Sequence, residues 1–249
     1  MKELTQRLST LLAQIEAAQR RGPHAAERVQ LLAVSKTQPI SRIKALIGAG
    51  HLLFGENYVQ EAEEKIHALT LVDSLPRAQF HLIGNLQRNK VKRAVGLFDV
   101  IESVDRVELA QEIAKVAERR GRRQRVMMQV NTSAEDSKSG VDPQSAEQLC
   151  KDILALPALQ LEGLMCIGQF IEPEADDALR RQDFIVLREL RGALQERCGV
   201  QLPELSMGMS ADFELAVEEG ATIVRIGQAV FGPRSKPDSY YWPNATLAV

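Results

Sequence analysis

The sequence predicts an α/β fold: a single (β/α)8 TIM-like barrel with an extra N-terminal helix. Three observations lead there. Eight short apolar runs alternate with seven helical segments along the 249 residues, and parallel strands need such crossovers. No hairpin signal joins successive runs. No Pro/Gly/Ser-rich linker divides the chain, so 1–249 reads as one domain, a usual length for such a barrel.

Taken in order, Lys2–Arg20 places Leu4, Leu8, Leu11, Leu12, Ile15 and Ala18 at helical spacing, and Gly22-Pro23 stops it. The strand runs are Leu31–Ser35, Leu52–Gly55, Phe80–Gly84, Val100–Val104, Val126–Asn131, Leu161–Ile167, Glu204–Met209 and Ile223–Gly227. Each has the length and apolar content of a strand buried on both faces. Between them the helical stretches are Ile40–Ala49, Tyr58–Leu69, Arg88–Val95, Asp105–Arg120, Pro143–Leu156, Ala175–Arg197 and Ala211–Glu219. An open doubly wound sheet alternates in the same way; the count of eight favours closure.

Composition narrows the function. Hydrophobic residues at 45% and charged residues at 26% describe an ordinary globule rather than a disordered chain. Lys plus Arg is 31 against 33 Asp plus Glu, and the net charge of −2 removes the global reason to expect nucleic acid or an anionic membrane as partner. Cys150, Cys166 and Cys198 are spaced neither as a disulfide framework nor as a thiolate zinc site. His24, His51, His67 and His81 form no i, i+4 pair, so no metal is expected. Met1–Arg21 is charged throughout, unlike a signal peptide, and no run of about 18 apolar residues exists. A cytoplasmic protein is expected. The basic run Arg119–Arg125 suits a solvated helix C-terminus.

In such barrels chemistry gathers at the C-terminal ends of the strands. Lys36 follows Leu31-Leu32-Ala33-Val34, so its amine is expected at the barrel mouth, where partial desolvation favours a neutral nucleophile able to form a Schiff base. A lysine snorkelling into water is the plainer alternative. Ser206-Met207-Gly208-Met209-Ser210 precedes a helix start, and Ile226-Gly227-Gln228 follows in the next loop. Small residues there suit a phosphate held by hydroxyls and backbone N–H groups, though Ser210 as an ordinary N-cap also accounts for the pattern. Arg225 lies inside the last run, where a guanidinium is costly to bury unless paired. It either pairs with an acid such as Glu56 or faces a ligand; spacing does not separate the two. His81 reads as a satisfied core residue.

Several of these segments coincide with known motifs. Leu32–Thr37, Phe54–Glu61, His81–Lys90, Ser137–Gly140, Leu205–Asp212 and Val224–Gly227 with Phe231-Gly232 resemble the pyridoxal phosphate homeostasis proteins, over nearly the whole chain. That family is similar to the barrel domain of alanine racemase. The resemblance implies pyridoxal 5′-phosphate (PLP) as cofactor, with Lys36 as Schiff-base lysine and Asn57 lining the pocket. It also implies a phosphate held by Ser206, Ser210 and Gly227, and Arg225 facing the pyridine nitrogen. Lys138 would lie in a loop near the site. Gln38 departs from the pattern, because relatives often carry a second lysine there.

Two functions then compete: a racemase-like PLP enzyme, and a protein that binds and delivers the cofactor without evident catalysis. An arginine stays protonated and donates to an unprotonated pyridine nitrogen, which weakens the ring as an electron sink. About twenty residues follow Gly227, too few for a second domain supplying an opposing catalytic base, and Tyr240 and Tyr241 sit in that tail. The expectation is a carrier in vitamin B6 and amino-acid homeostasis. It would be a monomer, with PLP-dependent apoenzymes as possible recipients. A barrel binding a phosphorylated metabolite without a Schiff base is the third alternative.

Overall fold

The computed structural model describes residues 2–72, 74–133, 139–169 and 176–232. Eight strands, β1 (Gln30–Val34), β2 (Leu53–Glu56), β3 (Gln79–Leu82), β4 (Val100–Val104), β5 (Gln124–Val130), β6 (Leu159–Cys166), β7 (Glu204–Ser206) and β8 (Ile223–Ile226), close into a barrel in chain order. All pairings are parallel, and β8 returns to β1 with Leu32 opposite Arg225. The predicted fold class is the observed one.

Helix α1 (Lys2–Arg21) precedes the barrel, followed by α2 (Ile40–Gly48), α3 (Val59–Thr70), α4 (Val91–Ala94), α5 (Val107–Arg119), α6 (Ala146–Leu154), α7 (Asp177–Cys198), α8 (Phe213–Glu218) and α9 (Gln228–Phe231). The periodic residues of α1 are buried except Leu12, which is exposed. This helix lies across the seam where β8 meets β1, packed on α2, α8 and α9. Arg21 reaches Glu214 at 2.7 Å and Glu218 at 2.9 Å, fixing its end to α8. No helix among the described residues is long and apolar enough to cross a membrane.

Several boundaries differ from expectation for local reasons. β7 ends at Ser206 rather than Met209, because Gly208 turns the backbone at φ 87°. A Cβ there would stand 2.5 Å from the Ala216 Cβ, so only glycine fits. The stretch Arg88–Val95 is a 3-10 turn over Arg88–Lys90 followed by the single turn of α4. α7 starts where the Asp176 side chain accepts the Ala178 N–H, and it stops at left-handed Gly199. Helix α9 was not expected at all. The Arg119–Arg125 run is partly engaged: Arg120 donates to the carbonyls of Lys92 and Val95, and Arg125 pairs with Glu162 at 2.6 Å. Ser137, Lys138, Ala175, Tyr240 and Tyr241 lie outside the described residues.

Strand alternation sorts side chains into two layers. Leu32, Ile83, Val100, Met127 and Ile223 fill the barrel's inside, with Val34 and Leu53. The larger apolar cluster, Phe54 and Phe98 among it, packs strands against helices.

Candidate functional site

The inner apolar layer fixes which side chains point into the mouth. Arg225 is two residues beyond Ile223, and Glu102 two beyond Val100. His81 is two before Ile83, so all three share the inward face. Lys36 keeps the inward parity of Leu32 and Val34 but lies past the strand end, and Asn57 does the same on β2 beyond Gly55. Because Val34 pairs with Gly55, Lys36 and Asn57 stand at the same height at the mouth. Both are half-buried.

Below them an unbroken polar chain crosses the barrel. Arg225 is 4% exposed and donates through Nη1 to Ser206 Oγ at 2.9 Å and through Nη2 to the Cys166 carbonyl at 2.6 Å. Ser206 donates to Glu102 Oε2 at 2.6 Å, and His81 Nδ1 lies 2.6 Å from Glu102 Oε1. Burial alone would raise the Glu102 carboxyl. Hydrogen bonds from His81 and Ser206, with the His81 and Arg225 charges, hold it below the ordinary carboxylate value. An ionised Glu102 only accepts, so Nδ1 of His81 carries the proton.

This geometry changes two expectations. Arg225 does not pair with Glu56; the alternating pleat turns Glu56 outward to the helix layer and leaves Arg225 inside with Ser206 and Glu102. Ser206 is fully buried, and its one hydroxyl proton goes to Glu102 while its oxygen accepts from Arg225. Its side chain therefore holds the guanidinium and has no proton left for a phosphate. Burial also pushes the neighbouring Cys166 thiol up to about 12, which leaves it inert at neutral pH.

A second polar cluster sits outside the barrel wall, against α3. Glu56 Oε1 accepts from Ser35 Oγ at 2.6 Å and from Lys65 Nζ at 2.8 Å. Lys65 also donates to the Ser35 carbonyl and to Glu61 Oε1, both at 2.6 Å. Glu61 in turn accepts the Thr37 N–H at 2.5 Å. Burial raises the Glu56 carboxyl despite Lys65. Thr37 has φ 62°, the one non-glycine residue with positive φ among the described residues.

The remaining candidates line the rim. Asn57 Oδ1 is buried without a partner, beside a cleft of about 440 Å3 that includes Tyr58, Gly84, Asn85 and Lys90. Gly84 admits the close approach of the Asn57 backbone: a Cβ there would stand 2.3 Å from the Asn57 carbonyl oxygen. Ser210 is half-buried in the loop after β7, where the Met209 N–H donates to Asp212 at 2.6 Å. Gly227 begins α9 next to Val34. Sequence reasoning missed Glu102 and Lys65. Glu102, an acid amid an apolar strand, carries the same signal as Arg225; Lys65, spaced i, i+4 from Glu61, looks like a solvated helix pair.

The site thus combines a closed parallel barrel, an amine at the mouth of its first strand and a buried guanidinium in its last. Residues 7–235 match the family model described as alanine racemase, N-terminal domain. A relative from Aquifex aeolicus named pyridoxal phosphate homeostasis protein is 43% identical over 229 residues, covering 92% of this chain and 97% of that one. The human protein of the same name is 41% identical over 212 residues, covering 82% of this chain and 76% of its own. PipY of Synechococcus elongatus PCC7942, solved with PLP bound, is 35% identical with a TM-score of 0.79, covering 92% of this chain and all of its own. The chain belongs to the pyridoxal phosphate homeostasis protein family.

Proposed function

We propose that this protein binds pyridoxal 5′-phosphate and acts in intracellular vitamin B6 and amino-acid homeostasis as a carrier without evident catalysis. The observation that carries the reading is the pairing of Lys36, just past the end of β1 on its inward parity, with inward Arg225 on the adjacent β8. The donor set fits the group. An amine stands at the mouth for an aldehyde, a guanidinium with further N–H groups lies below for a ring nitrogen, and Asn57 Oδ1 is a buried polar atom without a protein partner. At Gly227 a Cβ would meet only ordinary contacts with Val34 at 3.5 Å or more, so the protein's own packing does not demand glycine. Close approach by an anion gives the position a reason.

When bound, the cofactor supplies an aldehyde for covalent capture and an aromatic ring that withdraws electrons. Lys36 holds the aldehyde carbon. Ser210 and the backbone N–H groups near Gly227 hold the phosphate, and Asn57 lines the pocket. Ser206 contributes through Arg225, whose orientation it fixes. Arg225 has only donors to offer the ring nitrogen, which supports holding rather than carbanion chemistry. We read 1–249 as a single PLP-binding barrel domain, monomeric and cytoplasmic, with PLP-dependent apoenzymes as recipients.

The test is borohydride reduction of the PLP-loaded protein followed by peptide mass spectrometry. The pyridoxyl adduct is expected on Lys36 and absent in Lys36→Ala. A colourless protein with no adduct at Lys36 refutes the reading. Stereoinversion of an amino acid at about 1 s⁻¹ or faster, an ordinary enzyme rate, refutes the non-catalytic part alone.

A further inference from the structure

Lys36 is flanked by two residues that one buried ammonium holds from outside the barrel. Lys65 is 7% exposed, and its three N–H donors are all used: one on the Ser35 carbonyl, one on Glu56 and one on Glu61. Through the first two it fixes Ser35, whose hydroxyl also binds Glu56. Through Glu61 it fixes Thr37, because the same carboxylate oxygen accepts the Thr37 N–H. Thr37 needs that hold. A β-branched residue at φ 62° is strained and persists only when its surroundings over-determine it. Without Glu61 the backbone after Lys36 is drawn back toward negative φ, and the direction of the Lys36 side chain changes with it.

We propose that Lys65 and Glu61 are positioning residues for the aldehyde-capturing amine: they clamp the peptide on both sides of Lys36 and hold Thr37 left-handed so that the amine stays aimed into the mouth. The inference rests on the proposed role of Lys36. It gives a buried cluster on the outer wall a function in cofactor affinity beyond stability. Lys65 itself is no capture site, since it is buried and its donors are saturated.

The strain supplies a decisive variant. Glycine adopts positive φ at little cost, so Thr37→Gly removes the need for the clamp at that position. The full chain is titrated with PLP by absorbance, reduced with borohydride and mapped by mass spectrometry. The proteins compared are the unaltered one, Glu61→Ala, Lys65→Met and Glu61→Ala/Thr37→Gly, each first shown by circular dichroism to melt cooperatively. Glu61→Ala is expected to weaken capture at Lys36 by about tenfold, the scale of one strained residue. The double variant is expected to recover to within about threefold of the unaltered protein. A folded Glu61→Ala that captures PLP at Lys36 as well as the unaltered protein overturns the proposal, and so does a double variant no better than Glu61→Ala. Should Lys65→Met fail to fold, the Glu61 and Thr37 pair still decides. Absence of adduct at Lys36 in the unaltered protein strikes instead at the functional reading on which the inference stands.

Discussion

Replacing Glu102 with glutamine keeps the side chain's shape and removes its charge, with consequences set by its surroundings. Glu102 is fully buried and accepts from Ser206 and His81, and the Arg225 guanidinium lies one hydroxyl away. After Glu102→Gln that guanidinium loses the fully buried carboxylate of its own hydrogen-bond chain, and an amide NH2 faces a donor on one side. Removing one partner of a buried charge pair costs about 3–5 kcal/mol. For a chain of this length each kcal/mol shifts Tm by about 2–4 °C, so a fall of roughly 6–20 °C is expected. Thermal unfolding followed by circular dichroism at pH 7 measures it. The acid limb gives an independent check. Because the folded carboxyl is depressed, its stabilisation is fully present above the ordinary value of 4.5 and disappears as pH falls through the lower folded value. The glutamine variant should therefore lose part of the slope of stability against pH in that acid window. A Tm within about 2 °C of the unaltered protein, or an unchanged acid slope, would refute the reasoning that this carboxylate compensates Arg225.

Other outcomes follow from the same geometry. Ser206→Ala leaves both the Arg225 N–H and Glu102 short of a partner and should cost about 1–3 kcal/mol, read from urea unfolding. It should also weaken PLP more than it changes discrimination between PLP and pyridoxal, which would go the other way if Ser206 gripped the phosphate. Ser210→Ala is expected to weaken PLP about two- to tenfold while leaving pyridoxal unaffected, by paired titrations. Gly163→Ala places a Cβ 1.9 Å from the Glu204 carbonyl oxygen between β6 and β7. Because the two nearest obstructing atoms are backbone, the seam must open, and soluble yield with melting temperature should both fall well below those of Gly192→Ala, whose Cβ meets open space.

Much of the fold is legible in the sequence because a parallel strand buried on both faces must be an uninterrupted apolar run, and eight such runs leave few architectures. What escapes is short or set by contacts across the chain. Four residues of α9 hold no measurable period, and β7 is cut short by a glycine that the close packing of Ala216 leaves without room for a Cβ. Lys36 and Arg225 stand out because each is a charge set beside or within an apolar run. Their partners do not. Ser206 reads as a phosphate-binding hydroxyl until its one proton is seen to point at Glu102, and Glu56 stays one of two alternatives for Arg225 until pleating turns it to the other side of the wall. The polar clusters thus depend on which face each strand residue takes and on which helix lies behind it, and both are properties of the closed barrel.

The placement of α1 governs how the molecule is made. Its apolar stripe of Leu4, Leu8, Leu11 and Ile15 is seated on α8 and α9, and the Arg21–Glu214 contact joins residues 193 apart in the chain. Once translated, the helix waits for partners that follow it by nearly two hundred residues. Closing so long a loop is slow, and in the meantime a greasy helix is available to chaperones or to its own kind. The arrival of α8 and α9, more than any local propensity, is the event that shuts the seam and brings β8, with Arg225, beside β1.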